Sequence, residues 1–202
     1  MTAPAHAVIL LAAGGSRRLG APKQLVVVDG EPLVRRAARA ALETGPAQAL
    51  IVVGARADEV WAAVADLAIM RVDCAAWAAG LSASMQAGLH RLDPAVDAAL
   101  FVLCDQPALD VSHLRTLVAR WSSAPQRAAA SAYAGTLGVP AVLPRSWFSG
   151  LLALSGDRGA RELLRSRPHE VSAVEAPTLA ADLDRAADLE RLRTGPGGTN
   201  NQ

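Results

Sequence analysis

Hydrophobic residues in this chain come in short continuous runs separated by amphipathic stretches. Residues 7–11 (AVILL) are apolar without alternation, the pattern of a strand buried on both faces. After a glycine-rich turn, Pro32 opens a segment whose apolar positions Leu33, Val34, Ala37, Ala38, Ala41 and Leu42 lie on one face of a helix, and Gly45-Pro46 stops it. Further strands are predicted over 50–53, 69–72 and 98–104, and helices over 58–67, 82–92 and 112–121. The second half is less regular. There, 128–132 and 140–143 read as strands, 146–154 and 159–166 as helices, 169–175 as a return to the sheet, and 183–192 as a last helix. Strands alternating with helices of about 10–12 residues predict an α/β fold, a Rossmann-like, mostly parallel, doubly wound sheet flanked by helices. With no internal repeat and no long linker, residues 1–193 are expected to form one domain, followed by a disordered polar tail over 194–202 (TGPGGTNNQ).

Composition narrows the function classes. The 202 residues are 51% hydrophobic and 19% charged, which excludes wholesale disorder. A net charge of +1 argues against a general role on nucleic acid or a membrane surface. The apolar run 7–13 has no basic residue before it and no run reaches the ~20 residues of a membrane span, so a soluble, cytoplasmic protein is expected. Cys74 and Cys104 are not at metal or disulfide-framework spacing, and the four histidines are scattered. Forty-four residues are alanine while aromatics make up 3%, so the core must rely on backbones approaching closely around small side chains.

Three segments carry candidate chemistry. The first is LAAGGSRRLGAPKQL, residues 11–25, where a buried strand runs into Gly14-Gly15, then Ser16, Arg17, Arg18, Gly20 and Lys23. Glycines let backbone N–H groups approach phosphate oxygens, and the basic residues neutralise the charge gathered there. It is neither a Walker A loop nor GxGxxG. The plain alternative is a glycine-rich turn with solvated charges. The second is LCDQP, residues 103–107, which sets Asp105 at the carboxyl edge of a strand, where a lone carboxylate suits Mg²⁺ with phosphate oxygens and water, or caps a turn. The third is DLDRAADL, residues 182–189, in which one of Asp182 and Asp184 is expected to face a site and the other to cap the following helix.

Taken together, these blocks resemble the MobA-like nucleotidyltransferases, nearest the branch that includes molybdenum cofactor cytidylyltransferase, which favours a DQP triplet. WAAGLSAS (77–84) and GVPAVLPRSWF…LSGDRGARELL (138–164) fit the same branch. The resemblance spans residues 8 to about 192. It departs at Leu19, where Met is usual, at Asp73-Cys74, where Asn is common, and at Arg185, where Thr is common.

The resemblance implies a nucleotide-diphospho-sugar transferase type of fold and an Mg²⁺-dependent transfer of NMP, from CTP or another NTP, to a phosphorylated acceptor, with molybdopterin favoured. Leu11, Ala12, Ala13, Gly14, Gly15 and Ser16 would hold the nucleotide, with Gly80 and Ser84 lining its pocket. Arg18 and Lys23 would stabilise charge on the α-phosphate and pyrophosphate. Asp105 would hold Mg²⁺, with Asp184 or Asp182 as a second carboxylate. Gln106, Asp157 and Arg161 would meet the acceptor, Asp157 as the N-cap of a helix whose amides face a phosphate. Gly80, Ser84 and Arg161 also have plain structural readings. The rival expectations are transfer to a sugar or polyol phosphate, and a non-catalytic accessory protein that partners a molybdoenzyme during maturation.

Overall fold

The computed structural model describes residues 4–16, 20–180 and 188. Apart from residue 188, the predicted helix over 183–192 and the tail over 194–202 lie outside this set, as do Arg18, Asp182 and Asp184.

The run 7–11 forms β1 (His6–Leu11), completely buried. A short ribbon of β2 (Val27–Val28) and β3 (Glu31–Pro32) turns at Asp29-Gly30, both at positive φ. There follow α1 (Leu33–Leu42), β4 (Gln48–Val53), α2 (Ala57–Ala62), β5 (Met70–Asp73), α3 (Leu81–Leu89), β6 (Ala98–Leu103) and α4 (Val111–Ser123). The second half adds β7 (Ala128–Tyr133), β8 (Thr136–Pro144), α5 (Phe148–Leu152), α6 (Ala160–Ser166) and β9 (Val171–Glu175). Two predicted helices are shorter than their apolar spacing implied. After α2 the chain continues in tight turns closed by Val64 N–H donating to Trp61 O and Leu67 N–H to Val64 O, and α5 is preceded by a 3₁₀ turn at Arg145–Trp147.

The seven-stranded sheet has the order β5-β4-β1-β6-β8-β7-β9. β1 pairs in parallel with both β4 and β6, so it lies mid-sheet, and its side chains alternate between two cores. Val8 and Leu10 join α1, α2 and α4 on one face; Ile9 and Leu11 join α3, α5 and α6 on the other. This two-sided burial is why the run shows no polar alternation. The alanines act where elements approach closely: Ala37, Ala38 and Ala41 form the buried stripe of α1. At Gly88 a Cβ would lie 2.7 Å from Ile9 Cγ2, so α3 rests directly on β1.

One strand runs against the rest. β8 is antiparallel to both β6 and β7, whereas β9 returns parallel to β7. The cause is local: Ala134-Gly135, with φ of 49° and 70°, make a two-residue turn between β7 and β8, and so short a loop only joins antiparallel neighbours. The sheet is therefore mostly parallel, as expected, with this exception. No helix among the described residues is long and apolar enough to cross a membrane.

Candidate active site

The strand order reverses beside β1: the chain passes from β1 to β4 and β5 on one side, then returns to β6 on the other. Ligands of open α/β sheets bind beyond the carboxyl ends of the strands at such a reversal. The glycine-rich loop follows β1, and Cys104-Asp105-Gln106 follows β6, so the two sequence blocks meet there.

The loop is shaped from within by a residue that motif reading passed over. Gln24, in the 3₁₀ turn Lys23–Leu25, is buried. Its Nε2 donates to Ala12 O (3.0 Å) and Gly14 O (2.6 Å), while its Oε1 accepts from Ser16 Oγ–H (3.2 Å). Ser16 Oγ in turn accepts from Lys23 N–H (3.0 Å). With these carbonyls drawn inward, Ala12 and Ala13 stay buried and Gly14 and Gly15 are exposed. The signal in the sequence was a polar residue set inside a hydrophobic turn, PKQL. Gln24→Leu keeps the bulk but removes three hydrogen bonds, one of them to the buried Ala12 carbonyl, and should destabilise the protein by about 2 kcal/mol. Urea unfolding checks this; a midpoint like that of the wild type would mean that the glutamine does not shape the loop.

Trp77 supports the loop from outside. A Cβ on Gly15 would meet its ring at 3.0 Å, and one on Gly54 would meet its Cβ at 2.6 Å, so both glycines give the indole its seat.

Lys23 Nζ donates to Asp105 Oδ2, bridging the two blocks. Asp105 is buried, and its Oδ1 has no hydrogen-bond partner among the described residues. Asp105 is no helix cap: α4 is capped by Asp110, whose Oδ1 accepts from His113 N–H (2.9 Å). An orphaned buried carboxylate oxygen beside an exposed glycine loop fits a divalent cation. No group of three or more His, Cys, Asp or Glu among the described residues forms a metal cage. Mg²⁺ needs none, since it binds through one or two carboxylates with substrate phosphates and water.

Neighbouring groups are chemically quiet. Burial, reinforced by the Asp105 carboxylate, pushes the Cys104 thiol up to about 12, so it stays protonated and is no nucleophile. Burial also lowers the pKa of His113. Its Nε2 lies 2.7 Å from Ser131 Oγ, which itself donates to Pro140 O (2.7 Å), so His113 Nε2 carries the proton and joins α4 to β7.

The remaining predicted residues separate into two places. Gly80 precedes α3, where Ser82 N–H and Oγ–H both donate to Gly156 O (3.1 and 2.8 Å). The loop carrying Asp157 is thus docked against Gly80, on the Trp77 side. Asp157 does not cap α6 as expected: the cap position is Gly159, which is extended and has no side-chain hydrogen bond, so α6 starts beyond the reach of an Asp157 cap. Arg161 is exposed on α6, while Ser84 is buried within α3. The side chain of Leu11 belongs to the core, leaving only its backbone for a ligand. Gln106 is held against β8. It is buried, its Nε2 donates to Val139 O (3.2 Å), and its Oε1 has no partner among the described residues.

A family model of the MobA-like NTP transferase domain matches residues 8–171. The chain is 34% identical over 200 residues to nicotine blue oxidoreductase of Paenarthrobacter nicotinovorans, covering 91% of this chain and 94% of that one. It is 30% identical over 193 residues to purine catabolism protein PucB of Bacillus subtilis, covering 91% and 92%. The solved structure of Rv0371c from Mycobacterium tuberculosis H37Rv is similar with a TM-score of 0.81 at 30% identity, over 95% of this chain and 98% of that one. Another structure of Rv0371c is a complex with manganese.

Proposed function

Because the chain belongs to the MobA-like NTP transferase family, we propose that it is a metal-dependent nucleotidyltransferase that moves CMP from CTP to a phosphorylated acceptor, molybdopterin, and releases pyrophosphate. The family and its fold support a nucleotidyltransferase. The nucleotide, the acceptor and the metal are this reading's own. The observation that carries it is the meeting of Lys23 with Asp105 beside the exposed Gly14-Gly15 at the reversal of strand order.

In this reading the backbone of residues 12–16 holds the triphosphate against the floor made by Trp77 and Gly54. Gly80 and Ser84 belong to the same side of the pocket. Asp105, whose Oδ1 has no hydrogen-bond partner among the described residues, would hold Mg²⁺, and Asp182 or Asp184 would add a second carboxylate. Bound Mg²⁺ supplies neutralising charge for the triphosphate and the departing pyrophosphate. Lys23 and Arg18 donate to phosphate oxygens whose charge grows as the bond from the α-phosphorus to the leaving oxygen breaks. The acceptor's phosphate oxygen forms the new bond to that phosphorus. Being already anionic, it needs no strong general base, which agrees with histidines used structurally and a thiol held neutral. Positioning and charge stabilisation therefore supply the rate. Gln106, Asp157 and Arg161 remain the acceptor-side residues of this proposal.

The test follows pyrophosphate with the purified chain, Mg²⁺, each NTP in turn and molybdopterin. Release is expected with CTP above the other nucleotides, and no release with any pair would overturn the reading. The relative named as an oxidoreductase supports a second reading, which a change in the oxidation state of nicotine blue on incubation with the chain and a redox partner, with no NTP present, would reveal. Stabilisation by CTP without turnover would instead favour an accessory role in molybdoenzyme maturation.

A further inference from the structure

Two tasks fall on one ammonium. The transferase reading has Lys23 Nζ donating to phosphate oxygens, yet in the structure Nζ donates to Asp105 Oδ2, on the carboxylate that would hold the metal. This ion pair is not a loose surface contact. The Asp105 side chain is 10% exposed and that of Lys23 21%, so solvent screens the pair weakly. A carboxylate so placed is costly without a positive charge beside it.

The two ends differ in what can move. Asp105 follows Cys104, which is packed in the core on the α1 and α4 face. It precedes the buried Gln106, whose Nε2 donates to Val139 O (3.2 Å), a carbonyl that also accepts Tyr133 Oη–H (2.8 Å). The carboxylate is therefore held in place. On the other side Lys23 N–H donates to Ser16 Oγ (3.0 Å) and Gln24 is buried beneath the loop, so the backbone is fixed there as well. The part that can swing is the flexible four-carbon stem of Lys23.

Asp105 Oδ1 has no hydrogen-bond partner among the described residues. A dication seated there would share one small carboxylate with the ammonium on Oδ2, two like charges a few ångströms apart with little water between them. A triphosphate removes the conflict. Its oxygens give the ammonium a new partner, and its negative charge offsets both cations.

Resting on the transferase reading above, we infer that Lys23 is the counter-ion of Asp105 until a nucleotide arrives, that it holds divalent metal off the carboxylate, and that its transfer to the phosphates opens the metal site. Metal and nucleotide then bind cooperatively, and the chain alone takes up metal poorly.

The test uses Mn²⁺ alone, with the full chain and no nucleotide, and reads the unbound ion by electron paramagnetic resonance. The wild type should bind weakly. Lys23→Met, which keeps the length of the side chain without its charge, should tighten binding about tenfold or more. Lys23→Gln, which keeps an N–H donor for Asp105 without the charge, should act in the same way. Lys23→Arg keeps the charge and should stay at the wild-type affinity. Adding Asp105→Asn to Lys23→Met should abolish the gain. Where Lys23→Met lowers stability by leaving the carboxylate alone, Mn²⁺ should raise its urea midpoint more than that of the wild type. Equal Mn²⁺ affinity in the wild type and Lys23→Met, an equal gain in Lys23→Arg, or a gain that survives Asp105→Asn would overturn the inference. Failure of every NTP to release pyrophosphate would strike the transferase reading instead. The nucleotide-free titration does not depend on that result, so the two failures are told apart.

Discussion

Asp105→Asn should lower the rate of pyrophosphate release about a thousandfold, equivalent to about 4 kcal/mol of lost transition-state stabilisation. The substitution keeps the shape of the side chain and an oxygen for the Lys23 ammonium, so the link between the two loops is retained in outline. It removes the charge that would hold a cation, and no group of three or more His, Cys, Asp or Glu among the described residues stands ready to replace it. A burst of activity restored by high Mg²⁺ is not expected, because an amide oxygen competes poorly with water for this hard cation. Steady-state kinetics with circular dichroism as the folding control decides the matter. A folded variant with the wild-type rate would remove Asp105 from the mechanism.

The largest loss of stability is expected at Gly80, where alanine should cost about 3–5 kcal/mol. Two independent costs add. The backbone there has φ 111° and ψ −177°, a region that only glycine occupies without strain. A Cβ would also collide with the backbone of the docked loop, at 2.5 Å from Gly156 O and 2.8 Å from Asp157 N as well as against Gly156 C, and backbone cannot rotate away. Relief requires the loop to leave α3, which breaks both hydrogen bonds from Ser82 to Gly156 O. Gly14→Ala is the contrasting substitution: nothing lies within 4 Å of its Cβ, and its φ is not positive, so stability should change by only about 0.5 kcal/mol. Urea midpoints of the two variants provide the check. If they fall equally, the fit of the loop onto Gly80 is not what stabilises it.

Structure is legible in the sequence where it is decided locally. β1, β4 and β6 were legible because a strand covered by helices on both faces must be apolar at every position, and the stripe of α1 was legible from its spacing. The glycine loop and LCDQP were legible as ends of such strands. The reading overran α2, because apolar spacing continues through Val64 and Leu67 while the chain has already tightened into turns. It left β8 without a direction, because Ala134 at φ 49° carries no sequence mark of the reversal it makes beside Gly135. The capping role given to Asp157 failed for a similar reason: an acidic residue ahead of a helix is a common cap, but here docking onto Gly80 sets the path of the loop.

By itself, then, the chain determined its layers and where its buried strands lie along the sequence, because burial on two faces leaves a pattern in neighbouring residues. It also determined that a basic glycine loop and a lone carboxylate would stand at strand ends. Only the tertiary structure decided that Lys23 meets Asp105 across 82 positions of sequence, that Gln24 turns three groups of the loop inward, and that Tyr133 and Gln106 share one carbonyl. Those contacts depend on which strands become neighbours and how far each loop reaches. Pairing between distant segments is set by the packing of the whole sheet and leaves no periodic trace along the chain.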